Sequence, residues 1–577
     1  MLVYGDAERV ESLPAVQAEI LAGLEEAERL APGLQRHAAL VSAFIRLGEA
    51  VQGVADAGFE ARGSDTVAPG GDPGMPALLA LAGAIDRSWS GGFAGTEPLG
   101  PIADAVRTMS GPAAIRTKQA EGYAYYALYP EAFLEAARRS GLPPSTGFIG
   151  IRSIGAGLAA LVAAALGAAP PLTLRPVGHP FRREVRMKSD GAADWIARHR
   201  YFAVVDEGPG LSGSSFGAVL DWLEGQGVPR ERIHVFPSHT GDLGPQASEA
   251  HRSRWARLCR HVVDADALLA DRLPAWVADR VGPLDGPLQD ISGGVWRALR
   301  RRDPDGWPAS NLQQERRKFI ARSGGGAWLV KFAGLGTAGE RTLALATVLA
   351  EAGWTAPPAG LCHGFLMESW LEGARSLDEV TVERGALIGR LASYLGFRAR
   401  CLPADRGGAS SAELLRMAQH NTRLALGGEA GDALRFDTEA LARSVRPVVT
   451  DNRMLPHEWL VAEDGRLVKA DAVDHHAAHD LVGCQDIAWD VAGAAVEFGL
   501  TDEETRRLAE GVGAEAGRAV DPALLAFYRP CYLAYRIGAC TMAAQANGAD
   551  EAVRLEAAAD AYAAKLARHL DCAGPRP

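Results

Sequence analysis

The apolar positions along the chain change rhythm twice. From residue 1 to about 110, Leu, Ala, Val and Ile recur every three or four residues with acids and arginines between them. LPAVQAEILAGLEEAERL and LQRHAALVSAFIRLGEAVQGVADAG show the pattern, which predicts amphipathic helices. A Gly/Pro-rich stretch, RGSDTVAPGGDPGMP, precedes another helix, ALLALAGAIDRSW. From about 111 short apolar runs alternate with helical segments, the texture of a largely parallel sheet. TGFIGIRSIGAGLAALVAAALG reads as strand, turn and helix, and RIHVFPSHTGD as a later strand. Residues 246–285 read as a helical connector. After them, DISGGVWRALR predicts a strand, a turn at Gly293-Gly294 and a second strand, and RRKFIARSGGGAWLVKF a hairpin. The tail from about 500 is helical, with CAGPRP as a disordered end.

At 577 residues the chain is too long for one core, and units of about 100–200 residues give three or so domains. Apolar residues make up 47% and charged residues 23%, the balance of a globular protein. The net charge of -11, without long Lys/Arg blocks, argues against a nucleic-acid partner. The cysteines at 259, 362, 401, 484, 531, 540 and 572 form no Cys-x-x-Cys pair, which predicts reduced thiols and no zinc site. MLVYGDAERVE lacks a signal core, and LAALVAAALGAAPP falls short of the roughly 20 apolar residues of a membrane span. A cytoplasmic enzyme acting on small molecules is expected, its oligomeric state unreadable.

The first chemistry lies in FAVVDEGPGLSGSSF, residues 202–216. A buried strand ends at two acids, Asp206 and Glu207, placed where open α/β sheets bind ligands and able to accept hydrogen bonds from a vicinal diol. A Gly/Ser loop then opens a helix, so that backbone N–H groups and the helix dipole can hold a phosphate. The whole resembles the phosphoribosyl-pyrophosphate loop of type I phosphoribosyltransferases, with a spacer (Gly208 to Leu211) one residue longer than usual. The resemblance implies that Asp206 and Glu207 hold ribose hydroxyls at the reacting centre, and that Ser212, Gly213, Ser214 and Ser215 hold the 5′-phosphate. It also puts Arg152 and Ser153 on the diphosphate, in the turn Ile151–Gly157. A basic stretch with Arg175, His179, Arg182, Arg183, Arg186 and Lys188 stands where that family has a mobile cover, or is a solvated face. Tyr123, Tyr125, Tyr126 and Tyr129 are either core or a stacking wall.

The second half resembles small-molecule kinases of the aminoglycoside phosphotransferase type. It offers a glycine turn (Gly293, Gly294), a strand lysine (Lys331), a helix with Glu340 and Glu351, and a hinge, Met367-Glu368-Ser369-Trp370. The resemblance implies that these bind ATP, with Lys331 on its phosphates and Glu340 or Glu351 orienting the lysine. That family carries His-Gly-Asp with an Asn five residues beyond the Asp; this chain has no His-Gly-Asp. Counting back from Asp471 places Glu458 near the Asn, which makes Glu458 and Asp471 the expected Mg²⁺ ligands and Asp451 the expected general base. Gln485–Asp490 is similar to that family's Asp-Pro-x-x-Asp helix start.

The expected fold is therefore α/β plus α+β: a helical N-terminal addition (1–110), a phosphoribosyltransferase-like parallel-sheet domain (111–245), a connector (246–285) and a bilobal protein-kinase-like domain (286–577). The expected function is bifunctional transfer, using phosphoribosyl pyrophosphate or a ribonucleotide in the first domain and ATP in the second. Two alternatives stand beside it: a non-catalytic nucleotide sensor with a pseudokinase domain, and a dinucleotide enzyme built on the GxGxxG of Gly334–Gly339. His475, His476 and His479 form HHxxH, a metal cluster or a solvated loop.

Overall fold

A computed structural model describes the chain except residues 6–7, 68–70, 189–190, 211, 245, 302 and 574–577, with backbone alone at 572–573. Five parallel strands form one sheet in the spatial order Leu172–Leu174, Gly147–Ile151, Phe202–Val205, Ile233–Phe236, Cys259–Arg260. The strands Gly147–Ile151 and Phe202–Val205 are apolar at every position because both faces are covered. One face packs on Ser214–Gly225 and Trp255 through Ile149, Val204, Phe216 and Val219. The other lies under Gly155–Ala165, a helix with no polar side, buried all round from Gly155 to Ala163.

That burial explains two departures from the expected boundaries. The N-terminal helices Leu13–Arg29, Leu34–Arg62 and Met75–Ser90 are not an accessory addition: Phe44, Val51, Leu78 and Leu81 close over Gly155–Ala165 in one continuous core. The parallel sheet also runs past 245, since its fifth strand, Cys259–Arg260, lies in the expected connector. The remainder of that connector, Ala265–Val281, buries Leu273, Trp276 and Val277 in the same core. Leu34–Arg62 is, among the described residues, the one helix long and apolar enough to cross a membrane by length and composition. It is mostly buried here, and its Arg46 is held by Glu11 and Glu49 at 3.0 and 2.9 Å.

The second half begins with an antiparallel sheet in the order Gln289–Asp290, Lys318–Ser323, Gly326–Phe332, Phe365–Ser369, Pro358–Cys362, with the helix Thr337–Glu351 on it. The expected strand after Gly293-Gly294 is instead a short helix, Trp296–Arg300. A helical region follows, built around Arg384–Cys401, Ser411–Leu426, Ala488–Glu497 and Pro522–Ala546, with a small hairpin, Trp459–Val461 and Leu467–Lys469. The two halves of the chain share packing: Phe332, Phe365 and Met367 belong to the core of the N-terminal helices. The first residues thread back into the helical region, where the N–H of Leu2 donates to Asn421 Oδ1 at 2.7 Å.

The dinucleotide reading does not survive this topology. The strand before Gly334 pairs antiparallel on both sides, so it starts no βαβ unit. The glycine turn is filled by protein: the Leu335 N–H donates to Tyr123 O at 2.9 Å, and a Cβ at Gly339 would lie 2.2 Å from Gly334 O.

Candidate functional site

Between the antiparallel sheet and the helical region lies a cavity of about 520 Å³. Side chains alternate along Gly326–Phe332, so Leu329 and Lys331 face the cavity while Val330 and Phe332 face the core. The Lys331 ammonium meets Asp474 Oδ2 at 3.0 Å and closes on Asp471 Oδ1. Burial works against its charge, yet the two carboxylates outweigh burial and hold it above the usual lysine range. Reciprocally, burial would raise both acids, but Lys331 keeps Asp471 well below the ordinary carboxylate range and Asp474 at about 2. Asp471 sits in left-handed backbone, φ 53°, just past the hairpin.

Several expected roles move. Glu340 does not orient Lys331; its carboxylate accepts from Ser42 Oγ at 3.0 Å, because the first turn of its helix abuts Leu34–Arg62. Glu351, at the far end of that helix, is exposed. Gly293 and Gly294 do not form a cover over phosphates. The Gly294 N–H donates to Glu315 Oε2 at 2.7 Å, and the following helix is pinned by a buried ion pair, Arg297 to Glu551 at 2.9 Å. Met367 is fully buried in the core, so only its strand neighbours Glu368 and Ser369, with Trp370, line the cavity. Burial pushes the Glu368 carboxyl up to about 7 against the pull of Lys331. Trp370 lies under the Arg300 guanidinium, 3.7 Å from its ring centre.

Asp451 is not a general base on the cavity wall. Its side chain is fully buried, accepts from Tyr394 OH at 2.5 Å, and has Lys469 at 3.5 Å and Arg398 at 3.7 Å. Asp490, in the helix start noted in the sequence, accepts the N–H groups of Asp451 and Asn452 at 2.7 and 2.9 Å and fixes the loop. The residue that this loop presents to the cavity is Arg453, five positions before Glu458.

The expected metal pair is also rearranged. Glu458 is engaged by Lys469 at 2.9 Å. Among the described residues, the groups here close enough to share an ion are Asp471, Asp474 and His475, and Asp451, Glu458 and His475; neither holds Glu458 with Asp471. Burial and Arg453 pull the His475 pKa down, but Asp471 and Glu458 prevail and hold it at about 9. Asp471 and Asp474 are the hard-oxygen pair that suits Mg²⁺. The three histidines of HHxxH diverge: His479 meets Tyr126 OH at 2.9 Å and Glu121 at 3.2 Å, away from His475. Asp474 and Arg453 were not anticipated, and His475 was read only as part of HHxxH. The spelling Asp471-x-x-Asp474 directly after a hairpin was the available signal.

The parallel sheet carries a second site. Its order reverses between Gly147–Ile151 and Phe202–Val205, and Asp206 and Glu207 stand at the carboxyl end of that crevice. Burial pushes Asp206 up to about 7 despite the Glu207 N–H and the charges of Arg175 and Arg183. Burial and then Asp206 push Glu207 to about 8, against a hydrogen bond from the Gly122 N–H. Glycines keep the crevice narrow: a Cβ at Gly155 would lie 2.7 Å from Val205 O, and one at Gly122 2.8 Å from the Glu207 carboxylate.

The loop hydroxyls face the hairpin Val177–His179/Arg182–Glu184. Ser214 Oγ donates to Pro180 O at 2.6 Å, Ser212 Oγ to Ser214 Oγ at 3.0 Å, and Arg183 Nη1 to Ser215 Oγ at 3.3 Å. Gly213 caps the helix in left-handed backbone, φ 60°; Leu211 of the spacer lies outside the described residues. Arg152 is not available to a diphosphate. Its side chain is sealed between Asp65 and Asp56, the latter at 3.1 Å, both from the N-terminal region. Ser153, beside it, is half-buried. Of the tyrosines, Tyr123 and Tyr129 are core, while Tyr125 stacks on His479 with centroids 6.0 Å apart.

No family model matches the chain, and no curated protein matches it. Solved structures do. A spectinomycin phosphotransferase, in complex with ADP and spectinomycin, shares 14% identity at a TM-score of 0.36, over 52% of this chain and 98% of its own. A choline kinase from Streptococcus pneumoniae shares 16% at 0.31, over 43% of this chain and 89% of its own. A choline/ethanolamine kinase family protein from Mesorhizobium loti shares 15% at 0.31, over 52% and 98%. The chain is thus distantly similar to small-molecule phosphotransferases, too distantly for the likeness to carry an argument about its activity.

Proposed function

We propose that the cleft binds a nucleoside triphosphate with Mg²⁺ and passes the terminal phosphoryl group to a small molecule, as an ATP-dependent phosphotransferase with a bilobal, protein-kinase-like architecture. One observation carries this: a buried strand lysine faces two carboxylates, Asp471 and Asp474, across a cavity between a sheet lobe and a helical lobe. Phosphoryl transfer is mostly positioning and charge neutralisation, and these groups supply both. Lys331 donates to phosphate oxygens, and Asp471 and Asp474 would hold Mg²⁺, which when bound neutralises charge on the phosphates. Trp370, fixed by Arg300, and the edge at Glu368–Leu371 form a flat wall suited to a base.

Calorimetry with MgADP and MgATP tests it on wild type, Lys331→Ala and Asp471→Asn. Binding by wild type that either variant loses supports the reading; no binding by wild type sinks it. Tight binding without phosphoryl transfer to any acceptor supports the sensor alternative.

For the parallel-sheet half, the reading is a ribose-phosphate site, favoured by the acid pair at the point where the strand order reverses. The two acids would accept ribose hydroxyls, and Arg183 with the Ser212–Ser215 loop would meet the phosphate once the hairpin shifts. Calorimetry with phosphoribosyl pyrophosphate and ribose 5-phosphate, on wild type and Asp206→Asn, decides it: equal affinities, or none, remove the assignment.

A further inference from the structure

Among the described residues, two guanidinium groups that line the cavity, Arg453 and Arg536, make no hydrogen bond to a carboxylate. Arg453 is half-buried and lines the cavity; among the described residues its side chain makes no hydrogen bond and no ion pair. Arg536 lines the same cavity, its Nε buried without a hydrogen bond, with Glu497 Oε1 at 3.9 Å and the Tyr562 ring centre at 5.1 Å. Guanidinium donors left unmade in a partly desolvated space are costly, and their planar fork suits carboxylate and phosphate.

The acids nearby make no hydrogen bond to either guanidinium, because other groups already occupy them. Glu497 accepts from Tyr532 OH at 2.7 Å and from Tyr562 OH at 2.9 Å. Asp480 accepts from Tyr535 OH at 2.8 Å and the Val482 N–H at 3.1 Å, and Glu458 is taken by Lys469. The phenols hydrogen-bond the acids, so the arginines are left with longer-range attraction only, Glu497 toward Arg536 at 3.9 Å and Tyr535, Asp480 and Glu458 toward Arg453. The carboxylate that could have served as a base, Asp451, is sealed among Tyr394, Arg398 and Lys469.

Resting on the nucleotide reading of this cleft, we infer that the phosphoryl acceptor is an anion, a phosphate- or carboxylate-bearing small molecule gripped by Arg453 and Arg536. Such an acceptor explains how the site works without a base. An anionic oxygen attacks the γ-phosphorus directly, the bond from that phosphorus to the β-phosphate oxygen breaks, and the nucleoside diphosphate leaves with the electron pair. No proton has to move. The product is a phosphoanhydride or an acyl phosphate, according to the acceptor.

The test uses the full chain saturated with MgADP, titrated with phenyl phosphate, benzoate and benzyl alcohol. Phenyl phosphate or benzoate is expected to bind, identifying which anion is preferred, and benzyl alcohol is not. Arg453→Gln and Arg536→Gln should each weaken anion binding by at least about tenfold with the MgADP affinity retained. Arg453→Lys and Arg536→Lys, which keep the charge and the fold, should weaken it less. If MgADP binds but neither anion does, or if benzyl alcohol binds as well as they do, this inference falls and the nucleotide reading stands. Anion affinities unchanged in both Gln variants likewise overturn it. If MgADP itself fails to bind, the nucleotide reading falls and takes this one with it.

Discussion

Two pairs of acids sit at the two sites, and their charges are managed in opposite ways. Asp206 and Glu207 are adjacent in sequence, half-buried, and without a cation at hydrogen-bond distance among the described residues, so desolvation lifts them to about 7 and about 8. Asp471 is half-buried and Asp474 buried, yet Lys331 and its surroundings hold both below the ordinary range. A pair left uncompensated is ready for a ligand that brings hydrogen-bond donors; a compensated pair is ready to exchange its lysine for a divalent cation. Burial alone predicts neither state. The difference lies in whether another part of the chain delivers a positive charge.

The comparison breaks most sharply at Lys331. Lys331→Ala leaves the buried Asp474 and the half-buried Asp471 without their partner and should cost about 3 kcal/mol of stability, read by urea unfolding at neutral pH, with part regained on adding Mg²⁺. No regain with Mg²⁺ would count against the two acids as its ligands. Asp451→Asn should cost about 3 kcal/mol by removing the charge that faces Lys469 and Arg398, while calorimetry finds the MgADP affinity near wild type. Gly155→Ala drives a Cβ onto Val205 O and should cost about 1–3 kcal/mol, with loss of ribose-phosphate binding at the parallel-sheet site.

The pH dependence separates the pairs by sign. Asp206 and Glu207 hold their protons more tightly folded than unfolded, so their contribution is full below about pH 4 and is lost as pH rises through about 7 to 8. The double variant Asp206→Asn/Glu207→Gln should flatten that decline in a stability profile. Asp474, held at about 2, contributes above the unfolded pKa and loses its contribution only as pH falls toward 2. The smallest effect is expected at Glu340→Gln, within about 0.5 kcal/mol and without change in nucleotide affinity. A large loss there would restore Glu340 as the partner of Lys331.

What was legible depended on how far apart the participants lie. The strand Phe202–Val205, its two acids and the Ser-rich helix start are contiguous, and local rules of strand, turn and helix place them as expected. Lys331 was legible for the same reason, as an apolar strand's one charged residue. The partners of these groups were not. Arg152 reads locally as a free arginine in a phosphate turn, and only the packing of Leu34–Arg62 and the segment after it brings Asp56 and Asp65 onto it. Asp451 reads as a base until Tyr394, Arg398 and Lys469 close around it from two other elements.

By itself, the sequence determined the two kinds of sheet, the helical tail, and which residue types could do chemistry, because periodicity and turn propensities act over a few residues. Tertiary structure alone decided that the N-terminal helices belong to the central core, that Asp474 joins Asp471 on Lys331, and that Arg453 instead of Asp451 faces the cavity. Those outcomes turn on burial and on charge pairs between segments up to about 140 positions apart, such as Lys331 and Asp471, where the energy of each group depends on what the rest of the chain packs against it.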